Sequence, residues 1–319
     1  MDTKQWFKQA KFGLMIHFGL YSLLTGEYKG RRTSYYSEWI MSSFEIPKDE
    51  YKELAKIFNP IYFDADEWVT LAKDAGAEYL VVTSKHHEGF CLFKTEYNDF
   101  NVVDGTPFKR DIIKELAEAC KRQGMKLGLY YSQDLDWSEP NGGFSTEGTT
   151  NKGISWTNNW DFPDESKKNY EQCFRDKIIP QVKEILTNYG DLCLIWFDTP
   201  RGINAEQSKE LYDIVKSIQP NCLVNTRIGN GYGDYHSMKD NEFPDTYFED
   251  LAETPATLNR TWGFNYFDTD WKDVDEVLRL KEHLNKRGIN YLLNFGPDHL
   301  GRIPVPAAEI LREVGKKIK

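Results

Sequence analysis

The chain has 319 residues, 40% hydrophobic and 14% aromatic, enough to bury a large core as one barrel or two smaller domains. Its formal net charge of −10 leaves no basic stripe, which argues against nucleic acid or an anionic membrane surface as a partner. No apolar run reaches membrane-spanning length, and five scattered cysteines without a C-x-x-C spacing suggest neither a disulfide framework nor a zinc site. Met1 to Trp6 leads straight into an amphipathic segment with no apolar signal region, so the expected address is cytoplasmic unless a leader precedes it. Whether copies of the chain associate is left open.

Lys11 to Gly19 reads as a strand that ends in a polar residue, His17, on the same face as Met15 and Gly13. A long aromatic connection with Tyr21, Tyr28, Tyr35, Tyr36, Glu38 and Trp39 follows, and a helical pattern resumes near Pro47. Asp64 to Ala75 has helical spacing, with Asp64 as cap and Gly76 as stop. Glu78 to Lys85 is a β-branched strand leading into His86-His87-Glu88-Gly89-Phe90, Asp111 to Arg122 a helix before Gly124, and Lys126 to Ser132 a third strand. Asp136 to Asp164, with Trp137, Trp156 and Trp160 among small polar residues, reads as a long loop over a site. Glu165 to Tyr189 reads as one long helix.

That helix feeds Leu192 to Asp198, an apolar run too short for a helix, ended by a carboxylate and then by Thr199-Pro200-Arg201-Gly202. Alternation puts Leu192, Leu194, Trp196 and Asp198 on one face. A capping or turn aspartate is the plainer reading of Asp198 taken alone. A helix over Ala205 to Ile218 and a strand over Cys222 to Arg227 come next. From Ile228 to Thr269 the rhythm fails, and it resumes with a helix over Asp273 to Lys286, a strand over Ile289 to Phe295 and a helix over Pro306 to Ile318. About eight strand candidates with polar carboxyl ends predict a (β/α)8-like barrel, irregular in its second half, as a single catalytic domain over residues 1–319. An open doubly wound sheet is disfavoured, because no Gly-rich phosphate loop follows the first strand.

The polar strand ends and the loops beside them collect His17, Glu38, His86, His87, Tyr130, Asp198 and Arg227. A carboxylate-rich stretch follows, with Asp234, Asp240, Glu242, Glu249, Asp250 and Glu253. Trp39, Trp137, Trp196 and Trp262 supply aromatic walls. Polar groups for hydroxyls beside flat apolar faces are what a sugar requires. His86 and His87 can face one mouth only if the chain turns there, which Gly89 allows. A metal site built from His17, His86, His87 and Asp198 is the competing reading.

The stretches Ile16-His17-Phe18-Gly19, Tyr36-Ser37-Glu38-Trp39, Lys85 to Phe90, Leu129 to Ser132, Leu135-Asp136-Trp137, Ile195 to Asp198 and Tyr291 to Pro297 resemble, in the same order, glycoside hydrolase family twenty-nine, the retaining alpha-L-fucosidases. The resemblance extends to the single-domain alpha-1,6-fucosidases of lactobacilli, since no C-terminal β-sandwich follows the barrel. It implies a distorted barrel, double displacement without metal or cofactor, and a fucosylated oligosaccharide or glycoconjugate as partner. It puts Asp198 at the nucleophile's position, and His17, Glu38, His86, His87, Tyr130 and Arg227 at positions that hold fucose hydroxyls or the nucleophile. Trp262 matches the aromatic beside the sugar's methyl group. For the acid/base, an ungapped match implies Asp240, members with glutamate there point to Glu242, and Ala252-Glu253-Thr254 stands where the family usually has Trp-Glu-Thr. A catalytically silent fucose-binding barrel and a metal-dependent hydrolase barrel stay open as alternatives.

Overall fold

The computed structural model describes residues 2–143, 145 and 148–318, so Met1 and part of the loop over 136–164 lie outside the described residues. Eight parallel strands form the barrel: β1 (Phe12–Ile16), β2 (Tyr79–Lys85), β3 (Lys126–Tyr131), β4 (Leu194–Phe197), β5 (Leu223–Val224), β6 (His236–Ser237), β7 (Ala252–Thr257) and β8 (Ile289–Phe295). Each pairs with its sequence neighbours, and β1 also pairs with β8 in the register Leu14↔Leu293. Between β5 and β6 the ladder shrinks to one parallel bridge, Asn225↔Tyr235, with the Thr226 amide donating to the Tyr235 carbonyl at 3.0 Å. That bridge closes the sheet.

Local chemistry sets most of the outer helices. Asp64 caps Ala65–Asp74 by accepting from the Glu67 amide, Asp111 caps Ile112–Gln123 from the Lys114 amide, and Gly124 ends the latter in the left-handed region at φ 69°. Asn204 and Gln207 form a reciprocal capping box for Ala205–Ile218, and Asp273 caps Val274–Asn285.

The structure departs from the sequence reading at identifiable places. The expected helix over Glu165 to Tyr189 is a 3-10 turn at Glu165–Lys167 and then a helix from Tyr170 that widens into a π turn at Phe174–Ile178. Pro180 follows the π turn. It has no N–H to give and its ring crowds the preceding turn, which a π turn relieves. The expected strand Cys222 to Arg227 is only two residues long before a 3-10 turn at Thr226–Ile228. Two barrel strands, β6 and β7, hide in the stretch where the rhythm fails. Ala-Glu-Thr-Pro-Ala-Thr lacks the usual strand composition, and Pro255 is tolerated because the two-residue β6 does not run alongside it. Among the described residues no α-helix lies between β5 and β6 or between β6 and β7, so the second half is irregular.

Two apolar layers separate cleanly. Ile195 and Phe197 pack outward against the helices, while Leu194 and Trp196 point into the barrel with Met15, Tyr79, Val81, Tyr130 and Leu292. Leu192 belongs to the outer layer rather than to the inward face, because the strand begins only at Leu194. The helix Thr3–Ala10 plugs the amino end of the barrel with Phe7, whose ring lies 4.6 Å from that of Tyr235 and 5.8 Å from that of Tyr79. Gly13 makes room for the Tyr79 ring, since a Cβ there would fall 2.4 Å from it. With the amino end filled, the opening is left to the carboxyl ends of the strands.

Candidate active site

A cleft of about 450 Å³ opens at the carboxyl ends, lined by His17, Glu38, Trp39, His86, His87, Tyr130, Trp196, Asp198, Arg227, Asp240 and Trp262 among others. Asp198 follows the last residue of β4, and its carboxylate is only 14% exposed. Oδ1 accepts from Arg227 Nη1 at 2.9 Å, Oδ2 accepts from the Tyr130 hydroxyl at 3.0 Å, and His87 Nε2 stands 3.6 Å from Oδ2. Burial opposes its ionisation, but the Arg227 charge and the bonds from Arg227 and Tyr130 outweigh it and hold the carboxyl below its ordinary value. Gln133 fixes the backbone on both sides: its Oε1 accepts from the Asp198 amide at 2.9 Å, and its Nε2 donates to the Arg227 carbonyl at 2.9 Å.

The three histidines are buried and neutral at pH 7. Burial lowers His17 and His87 to about 4, and it lowers His86 well below the ordinary value, with His87 and His17 adding to the effect. Hydrogen bonding assigns two tautomers. Asn294 donates from Nδ2 to the Trp262 carbonyl, so its Oδ1 must accept from His17 Nδ1 at 2.7 Å. Ser132 Oγ spends its one proton on the Leu135 carbonyl, so it must accept from His87 Nδ1 at 2.6 Å. Both rings therefore keep Nε2 as an acceptor, the form that accepts a hydrogen bond from a sugar hydroxyl. His86 and His87 do share the mouth, with ring centres 4.2 Å apart. The register shift between Thr83 and Lys85, and Gly89 at φ 83°, turn the chain there.

The turn is locked from behind. Asp136 Oδ2 accepts from Lys85 Nζ at 3.0 Å and from Lys177 Nζ at 2.6 Å, with all three side chains at most 1% exposed. The Trp137 amide donates to the His87 carbonyl at 2.8 Å. Trp137 is thus no wall of the cleft but is fully buried behind Trp39 and His87.

Arg227 also reaches Asp240, donating from Nη2 to Oδ1 at 2.6 Å, while its guanidinium lies 4.7 Å from the Trp196 ring centre. Burial raises the Asp240 carboxyl, Arg227 works against this, and the Asp198 charge raises it further; the net direction is up. The two other candidates for the same task lie elsewhere. Glu242 is exposed, does not line the cleft, and accepts from the Lys239 amide in a local turn. Glu253 sits inside the barrel beneath the floor, its Oε1 accepting from Trp196 Nε1 at 2.9 Å and its Oε2 from the Tyr79 hydroxyl at 2.5 Å. Burial pushes Glu253 up to about 7.

Glu38 is fully buried at the cleft wall. Oε2 accepts from the Gly263 amide at 2.9 Å, burial raises the carboxyl to about 7, and Oε1 has no hydrogen-bond partner among the described residues. Trp262 stands 5.1 Å from His17, held through Asn294. Among the described residues no three His, Cys, Asp or Glu side chains converge so as to hold a metal ion, and His17, His86, His87 and Asp198 are no exception. Tyr35, Tyr36, Trp156 and Arg201 also line the cleft, and sequence reasoning did not single them out as site residues. The signal for the tyrosines was their place three and two residues before Glu38, for Trp156 its place in the tryptophan-bearing loop over 136–164, and for Arg201 its place in the turn after Asp198.

The family model described as Alpha-L-fucosidase matches residues 1–319. The chain belongs to the alpha-L-fucosidase family. It is a glycoside hydrolase with the family's (β/α)8 catalytic fold. The structure of alpha-L-fucosidase AlfC from Lactobacillus casei in complex with alpha-L-fucose product is 53% identical, with a TM-score of 0.95 over 99% of this chain and 98% of that one. An AlfC variant in complex with Fuca(1,6)GlcNAc superposes with a TM-score of 0.93 at 53% identity, over 98% and 97% of the two chains. Plasma alpha-L-fucosidase of Homo sapiens is 29% identical over 353 residues, which span 100% of this fucosidase and 69% of the human protein. No helix among the described residues is long and apolar enough to cross a membrane.

Proposed function

We propose that this fucosidase is a retaining, exo-acting enzyme for alpha-1,6-linked fucosyl-N-acetylglucosamine, with the chain acting as one catalytic domain. The observation that carries the mechanism is Arg227, which joins Asp198 and Asp240 while their ionisation is displaced in opposite directions. One carboxylate stays charged and the other tends to keep a proton, the division that glycosidase chemistry needs. Asp198 attacks the anomeric carbon as the bond to the aglycone oxygen breaks, and Asp240 gives that oxygen its proton. A water then attacks the anomeric carbon, passing its proton to Asp240 as the bond to the Asp198 oxygen breaks and the carboxylate is freed, so the sugar leaves with its original α configuration. The acceptor nitrogens of His17 and His87, with Glu38, suit the ring hydroxyls, and the Trp262 ring suits an apolar edge.

The alpha-1,6 preference is supported by the likeness to AlfC, whose variant binds Fuca(1,6)GlcNAc. Five buried, unpaired cysteines suit a reducing compartment, in keeping with cytoplasmic action. Proton NMR of aryl alpha-L-fucoside hydrolysis tests the mechanism: α-L-fucose is expected first, and the β anomer appearing first would overturn double displacement. Rates on the 1,2, 1,3, 1,4 and 1,6 disaccharides test the linkage, and equal rates on all four would remove that preference.

A further inference from the structure

A second depression of about 610 Å³ lies beside the catalytic cleft, and the two share Tyr35 and Tyr36 as a common wall. The tyrosine rings are packed 4.6 Å apart, and Tyr35 is braced edge-on by Trp39 at 5.7 Å. Tyr35, Tyr36 and Asp240 all line the catalytic cleft, and burial raises both tyrosine hydroxyls. A leaving group protonated by Asp240 departs through a cleft that this tyrosine wall borders.

The far side of the depression is built rather than accidental. Phe267 is held by its amide donating to Asn265 Oδ1 at 2.9 Å, and the Arg32 guanidinium covers one face of the ring at 3.6 Å, leaving 36% of the residue exposed. Arg260 pairs with Asp270, and its amide donates to Asp268 Oδ2 at 2.8 Å, so donors and acceptors stand side by side. Exposed Lys152, from the loop over 136–164, lines the same depression. Flat rings beside paired charged groups are the chemistry of a pyranose site, in which C–H faces meet aromatics and hydroxyls meet donors and acceptors.

We propose that this depression is a distal aglycone site that binds the second sugar beyond the fucosylated residue, with Phe267 as its platform and Lys152 as its rim. The proposal rests on the fucosidase reading of the Asp198 cleft. Its test compares Phe267→Ala and Lys152→Ala with the parent enzyme on four substrates. These are an aryl alpha-L-fucoside, alpha-1,6-fucosyl-N-acetylglucosamine, the trisaccharide in which that N-acetylglucosamine carries a further β-linked N-acetylglucosamine, and a peptide bearing the fucosylated N-acetylglucosamine on asparagine.

The expected result is a fall in kcat/KM of about fivefold to tenfold on the trisaccharide alone, carried by KM, the size of one aromatic–sugar contact. Unchanged rates on the aryl fucoside and disaccharide report an intact fold and fucose cleft. If the variants keep the parent's ratio of trisaccharide to disaccharide rates, the distal site does not exist. If only the glycopeptide is affected, the depression takes peptide and the sugar assignment is wrong. Failure of the parent enzyme to release the aryl group would instead bring down the fucosidase reading itself.

Discussion

Replacing Arg227 by Met should move the whole pH profile of kcat/KM towards alkaline pH. The guanidinium donates to Asp198 at 2.9 Å, with side chains 18% and 14% exposed, so solvent screens the pair little. Charge centres about 4 Å apart at an effective dielectric near 20 attract by about 4 kcal/mol, worth about 3 pH units. The Tyr130 bond remains, and water enters the space, so we expect the acid limb to rise by about 2 pH units. The sign follows from Asp198 being held below its ordinary value: without the cation it stays protonated to higher pH, and the enzyme is inactive there. Asp240 loses the same opposing charge and rises too, so the alkaline limb moves in the same direction, by less because its side chain is 38% exposed. The assay is kcat/KM for an aryl fucoside at closely spaced pH values, which reports the free enzyme's groups. An acid limb that stays in place while only the maximum falls would show that Arg227 holds sugar and does not set the ionisation of Asp198.

The remaining expectations are narrower. Asp240→Ala should cut turnover of the alpha-1,6 disaccharide by about 10²–10⁴-fold while sparing the first step on an activated aryl fucoside, with azide speeding deglycosylation of the latter; Glu242→Ala or Glu253→Gln showing that split instead would move the acid/base role to that residue. Asp198→Gly should lose turnover and regain part of it with azide, giving the β-fucosyl azide, and a near-parent rate without azide would make Asp198 a structural residue. Asp136→Asn leaves Lys85 and Lys177 buried without their carboxylate and should lower stability to urea by about 3–5 kcal/mol. Because Asp136 is held below its unfolded value of about 3.9, its contribution in the parent enzyme is full above that pH and is lost as the pH falls; a variant as stable as the parent at pH 7 would refute this.

Much of the molecule was legible in its order of residues. Apolar runs of strand length that end in polar residues identified β1 to β4 and β8, and caps such as Asp64, Asp111 and Asp273 marked helix starts, because both signals are local. The carboxyl ends of parallel strands in a closed sheet must come together, so eleven of the residues collected for the site line one cleft; Trp137, Glu242 and Glu253 are among those that do not. The exceptions show what only tertiary structure decides. Glu242 and Glu253 stand two and thirteen residues after Asp240, yet one is in solvent and the other lies under Trp196. A two-residue strand and a single bridge at Asn225 and Tyr235 orient that stretch, and no local pattern encodes them. The π turn before Pro180 and the ion triad it helps to build around Asp136 were equally hidden. A buried lysine is recognised only by the carboxylate folded against it, and here that partner is 41 residues away in the chain, at Asp136 relative to Lys177.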